Sequence, residues 1–171
     1  MKLLIITQKV DINDQLLGFF IDWLKRFAGK FEKVTVLCLE KGEFDLPLNV
    51  KVLSLGKDRG ANKFQILTTY YLLLTTLRKD YDVVFVHMNP IWVILGGMSW
   101  RLMNKKIFFW YTSGGVTNKL KLAEKLADVI FTASKESFRI QSDKVIVTGH
   151  GIDTNLFTPN SKFQIPNSKL K

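Results

Sequence analysis

The residues best able to do chemistry in this chain sit just after its apolar runs. His87 closes Val83-Val84-Phe85-Val86 and is followed by Met88-Asn89-Pro90. Thr112-Ser113-Gly114-Gly115 follows an aromatic run ending in Trp110 and Tyr111, and Gly149-His150-Gly151-Ile152-Asp153 follows Val145-Ile146-Val147. A more polar stretch from Gln8 to Gln15 follows the first run. A histidine at the end of a strand can exchange hydrogen bonds with a ligand oxygen near neutral pH, or can be a satisfied, half-buried structural group. Gln8 and Asn89 would add amide contacts on the same side. A hydroxyl at Ser113 can hydrogen-bond but can be neither a cation nor a neutral-pH base. Gly114 and Gly115 permit close backbone approach, so their N–H groups suit a phosphate or a sugar oxygen, although a plain turn has the same composition. His150 reads as an exposed loop residue rather than a catalyst.

Several chemistries have no support. The sequence holds no Walker pattern, no G-x-G-x-x-G after its first run, no metal-spaced Cys/His cluster and no G-x-S-x-G elbow. No metal and no cofactor are therefore expected. The one cysteine, Cys38, lies inside Val34-Thr35-Val36-Leu37-Cys38-Leu39, which excludes a disulfide framework and predicts a buried structural thiol in a reduced, cytoplasmic setting.

The elements that must position these residues follow from the pattern of the runs. Strands are predicted at Lys2–Thr7, Val34–Leu39, Val50–Leu53, Val83–His87, Lys106–Thr112, Val129–Thr132 and Val145–Val147, most of them nearly continuously apolar, as strands buried on both faces are. Helices are predicted at Asp14–Ala28, Lys63–Lys79, Ile91–Met103, Asn118–Ala127 and Lys135–Ile140. In the first of these, Leu16, Leu17, Phe20, Trp23, Leu24 and Phe27 form one apolar face. Such alternation predicts a Rossmann-like, three-layer α/β domain with a mainly parallel sheet, in which ligands bind beyond the carboxyl ends of the strands. Residues 1–158 form this domain, and residues 159–171, with two prolines and no periodicity, read as a linker or tail. The opening run is too short for a signal peptide, and neither 64–77 nor 83–100 is a comfortable membrane span.

The order of these elements, the segment from Tyr81 to His87, the segment from Leu126 to Ser134, and above all Val147-Thr148-Gly149-His150-Gly151-Ile152-Asp153-Thr154-Asn155-Leu156-Phe157-Thr158-Pro159 resemble the family 4 glycosyltransferases of GT-B fold. The resemblance spans about residues 1–159 and implies one half of a GT-B fold: the N-terminal, acceptor-side domain of a retaining transferase that moves a sugar from a nucleotide-sugar donor to an acceptor hydroxyl. It implies that Gly149, Gly151 and Asp153 belong to the hinge leading to the donor side. It also implies that the donor binds a C-terminal domain absent from this sequence, or a separate donor-binding chain, so that this half is inactive alone. Ser113 stands at the position of the family's catalytic histidine, and the glycine pair usual near residues 8–18 is missing.

The formal net charge is +10, and residues 61–171 contribute most of it, with 15 basic against 7 acidic groups. An anionic partner is implied. Lys119, Lys121 and Lys125, opposed only by Glu124, are the candidate contact with an anionic membrane surface on its inner, cytoplasmic face, and the acceptor itself is expected to be lipid-linked or phosphorylated. The rival reading is a non-catalytic module that binds a sugar, nucleotide or phosphate. Nucleic-acid binding has basic charge alone in its favour.

Overall fold

A computed structural model describes residues 1–151. Among them the chain order is β1 (Lys2–Val10), α1 (Phe20–Ala28), β2 (Lys33–Lys41), β3 (Val50–Ser54), α2 (Lys63–Thr76), β4 (Val83–His87), α3 (Pro90–Leu102), β5 (Lys106–Trp110), α4 (Asn118–Leu126), β6 (Val129–Thr132) and β7 (Val145–Val147). The strands form one seven-stranded sheet in the order β3-β2-β1-β4-β5-β6-β7. Every neighbouring pair is parallel. This is a Rossmann-like α/β fold. From β1 the chain steps outward through β2 and β3, then returns to place β4 on the other side of β1, so the strand order reverses between β1 and β4.

Continuous apolar strands are what a sheet covered on both sides requires. Leu4, Ile6, Val84, Val86, Ile107 and Phe109 point into a core shared with Tyr70, Trp92 and Trp100. Leu3, Ile5, Val34, Val36, Val83 and Phe85 point the other way, toward Phe20, Ile21 and Leu24 of α1. Thus α2, α3 and α4 cover one face and α1 covers the other. Two glycines make the three-helix layer thin: a Cβ on Gly96 would run into the Trp100 ring and the Tyr70 hydroxyl, and one on Gly97 would press on Leu126 at 3.1 Å.

The helix starts are set by side chains. Asn62 and Gln65 cap α2 reciprocally, Asn89 accepts from Ile91 N at 3.1 Å with Pro90 at the first helical position, and Thr117 accepts from Leu120 N. The second predicted helix ends three residues early, at Thr76, and two others differ by more than a turn. The first starts at Phe20, not Asp14: Asp14 caps a single turn, its carboxylate accepting from Leu16 N at 3.0 Å and Leu17 N at 2.8 Å and its carbonyl from Gly18 N at 2.9 Å, and the chain then continues in i→i−3 bonds, Phe20 N to Leu17 O and Ile21 N to Gly18 O, before α1 begins. Leu16, expected on the buried face, is consequently 81% exposed. The segment 135–140 forms turns rather than a helix, since Ser137 N bonds both the carbonyl and the hydroxyl of Ser134. The first strand also runs three residues further than predicted, which places Gln8 inside β1 rather than in the following loop. The domain boundary at 158 and the expected tail lie outside the described residues.

Candidate functional site

At the carboxyl edge of the sheet, beside the switch between β1 and β4, lies a cavity of about 260 Å³. Its walls come from the β1–α1 segment (Leu16, Leu17, Phe19, and Trp23 of α1), from His87 and Met88 at the end of β4, and from Trp110 and Thr112 at the end of β5. His150, in the loop after β7, completes the lining. The cavity exists because the segment before α1 stays in turns, so that side of the sheet is roofed by loop and aromatic side chains.

His87 is the polar centre of this wall. It is 1% exposed, stacks on Phe20 with ring centroids 4.3 Å apart, and meets Phe19 and Trp23 edge-on at 6.4 and 6.0 Å. Its Nδ1 lies 3.1 Å from the hydroxyl of Thr7, a residue with no solvent exposure. The Thr7 hydroxyl has no other partner among the described residues, so the favoured tautomer is the one in which it donates to Nδ1, because a buried donor left unmade is costly. The imidazole proton then sits on Nε2. Nε2 has no partner among the described residues, and His87 lines the cavity. Burial lowers the His87 pKa to about 4, so the ring is neutral at physiological pH. The result is a fixed, uncharged N–H donor inside an aromatic pocket.

Met88 holds the turn that delivers His87. Its φ is +66°, its N–H donates to Trp110 O at 2.8 Å, and its sulfur accepts from the Thr112 hydroxyl at 3.3 Å. Near the end of β1, Lys9 bridges Asp11 at 3.1 Å and Asp14 at 2.9 Å. The Asp14 carboxylate, followed by that of Asp11, raises the Lys9 pKa, and Lys9 is the main cause that lowers that of Asp14. Asp11 is lowered first by the Asn13 N–H and then by Lys9. This charge cluster ties the β1–α1 segment to the end of β1, while Ile12 N bonds Glu43 O to anchor it to the β2–β3 loop.

The other candidates occupy varied places. Asn89 accepts from the α3 backbone as its cap. Ser113 and Gly115 are exposed and stand outside the lining of the cavity. Gly114, with φ +66°, donates its N–H to Ser137 O at 2.9 Å, so that group is already engaged. Gly149 and Gly151 take left-handed φ of 77° and 65°, where glycine is favoured, and Gly151 lies against the Trp23 ring. Asp153 lies outside the described residues. Lys119, Lys121 and Lys125 are exposed along α4. Cys38 is buried, with its thiol pushed up to about 12 by desolvation. Sequence reasoning passed over Thr7, Trp23, Met88 and Trp110. The aromatic residues read as core, and nothing in the order of residues links Thr7 to His87, 80 positions away.

Neither a protein-family profile nor a curated protein sequence matches this chain. Solved structures do. HepE of Anabaena in complex with UDP matches with a TM-score of 0.64 at 16% identity, over 91% of this chain and 46% of that one. MurG of Acinetobacter baumannii gives 0.57 at 14%, over 86% and 45%, and the UDP-GlcNAc 2-epimerase from Methanocaldococcus jannaschii gives 0.55 at 14%, over the same shares. This chain has the fold of one GT-B half. It spans under half the length of each of these three proteins. At such identities the likeness of the GT-B half speaks for its fold, and function has to be argued from the site.

Proposed function

We propose that this chain is the N-terminal, acceptor-side half of a retaining glycosyltransferase resembling family 4, which moves a sugar from a nucleotide-sugar donor to an acceptor hydroxyl. The observation that carries the reading is the buried His87 ring at the switch point, bonded through Nδ1 to Thr7 and lining a cavity walled by Phe19, Trp23 and Trp110, an arrangement whose favoured tautomer keeps the proton on Nε2. Aromatic walls with one or two placed polar groups suit a pyranose ring, whose C–H faces are apolar and whose rim carries oxygens. Among the described residues the lining holds no carboxylate, lysine or arginine, which suits an uncharged part of the acceptor, with a phosphate or lipid portion outside, toward an anionic surface met by Lys119, Lys121 and Lys125. The protein works in the cytoplasm on that surface. No helix among the described residues is long and apolar enough to cross a membrane.

The donor and the groups that hold its diphosphate belong to a second domain, across a hinge at Gly149, Gly151 and Asp153. Departure of a nucleoside diphosphate needs fixed charge on both sides of a closed cleft, so this half alone does not turn over. Ser113 removes the imidazole that family members use. A second reading, a binding module without catalysis, is favoured by one observation: Ser113 is exposed and does not line the cavity.

The test has two arms. Titration with methyl glycosides, read by tryptophan fluorescence, is expected to report binding that His87→Ala abolishes; no binding by any glycoside would reject the site. Nucleoside diphosphate release is expected to be absent for this chain with every donor. Acceptor-dependent turnover by the chain alone would overturn the half-enzyme reading. Turnover by a fusion to a donor-binding GT-B domain, gained with Ser113→His, would exclude the binding-module reading.

A further inference from the structure

Helix α2 is apolar on the wrong side. Its inward face buries Tyr70 and Leu74, as a helix against a sheet should. Yet its outward face, at helical spacing, presents Phe64 (77% exposed), Leu67, Tyr71 and Leu72 (60%) to solvent. Beyond Lys63 the helix has no charged residue over its 14 positions. A helix apolar all round is normally covered all round. The polar groups that remain on the outer face are turned inward: Thr68, Thr75 and Thr76 donate to the carbonyls of Phe64, Tyr71 and Leu72 at 2.8–2.9 Å, and the Tyr71 hydroxyl donates to Leu95 O of α3. Hydroxyls that bond their own helix ask nothing of water, which suits an environment poor in it.

Further exposed apolar side chains stand on α3, where Met98 is 63% and Leu102 81% exposed, and on α4, where Leu122 lies among the exposed lysines. The charge of this layer is one-sided. No acidic residue occurs between Asp58 and Asp80, and none in α3. Arg59 and Lys63 stand at the start of α2, and Arg78 and Lys79 just after its end. The one carboxylate of α4, Glu124, accepts from the Ser142 hydroxyl at 2.8 Å and lies 3.8 Å from Lys144.

We propose that the outer surface of the α2–α3–α4 layer docks on an anionic lipid bilayer, with Phe64, Leu67, Tyr71 and Leu72 of α2 buried at the headgroup boundary and the basic residues around them meeting lipid phosphates. At roughly 21 Å, α2 is too short to span a bilayer, and its apolar stripe with basic ends is the pattern of a helix lying in the interface. The complementary charge selects an anionic lipid surface over a second copy of this equally basic chain. This inference rests on the reading that the α4 lysines face an anionic surface, and it adds insertion by a different helix.

The experiment uses the full chain and vesicles of phosphatidylcholine with or without phosphatidylglycerol, assayed by co-sedimentation. The Phe64→Glu/Leu72→Glu variant, checked for folding by circular dichroism and thermal melting, is expected to bind phosphatidylglycerol vesicles at least about tenfold more weakly, at low and high salt alike. The Lys119→Ala/Lys121→Ala/Lys125→Ala variant is expected to lose affinity mainly at low salt. Because the Cys38 thiol is buried, Leu72→Cys can carry a polarity-sensitive dye alone, and a blue shift on vesicle addition is expected. Loss in the lysine variant with none in the α2 variant would overturn the insertion and keep the lysine reading; the reverse would reject the lysine reading and keep the insertion. Equal binding to phosphatidylcholine alone, no blue shift, or a concentration-dependent dimer that Leu72→Glu dissociates without any vesicle binding would each overturn the proposal.

Discussion

The two faces of the sheet are built to different ends. On one, three helices cover a broad apolar core in which Tyr70, Trp92 and Trp100 are locked by the thin glycine seam at Gly96 and Gly97. On the other, the nine-residue α1 covers the strands near β1, and the chain before it runs in turns over the carboxyl edge. There His87, held by Thr7, lines a cavity with Phe19, Trp23 and Trp110. Regular, tight cover makes a rigid platform, and incomplete cover leaves room for a ligand. The site owes its place to the face with less helix, whereas the face with more helix supplies stability and, on its outer side, carries the exposed apolar residues of α2.

The comparison breaks first on the platform. Trp100 is fully buried, so Trp100→Ala is expected to cost about 3–5 kcal/mol in urea denaturation; a loss below about 1 kcal/mol would mean that the three-helix face does not carry the stability assigned to it. The next effect separates the faces by pH. His87 takes a proton in the folded state only near pH 4, against an ordinary value of 6.5. The unfolded chain therefore binds the extra proton between those values, and stability is expected to fall as pH drops from about 6.5 toward 4, by up to roughly 3 kcal/mol. His87→Asn should flatten that slope; an unchanged pH dependence would show that the histidine is not buried as described. The smallest effect sharpens the site itself. Thr7→Val removes the hydroxyl that holds Nδ1 and should cost about 1 kcal/mol. It should also let the ring populate its Nδ1–H form, seen in nitrogen NMR of the imidazole. A ring that stays wholly in the Nε2–H form without Thr7 would refute the positioning role.

Much of this architecture was legible in the order of residues. β4, β6 and β7 coincide with the predicted runs to the residue: β4, buried along its whole length, must be apolar throughout, and the half-exposed edge strand β7 is marked instead by its β-branched Val145, Ile146 and Val147. The caps at Asn89 and Thr117 likewise act within a few residues of themselves. Where the local signals covered only a turn, the reading failed: the apolar spacing of Leu16 and Leu17 argued for helix and Asp14 does cap a turn there, but the chain continues in i→i−3 bonds until α1 begins at Phe20. His87 could be suspected from its place after a buried strand, but not its tautomer, its neutrality or its cavity.

Those belong to the tertiary structure. The parallel pairing of β1 with β4 brings Thr7 beside His87, and the packing of α1 puts Phe20 and Trp23 on its ring. Trp110 reads in sequence as one more core aromatic. The same is true of α2, whose apolar residues look alike along the chain and are divided into core and surface only when one side of the helix meets the sheet. Local forces act over a few bonds and leave their mark in composition and spacing. Which residues 80 positions apart share a hydrogen bond, and which face of a helix stays uncovered, depends on where the strands pair, and that is decided by the burial of the whole sheet.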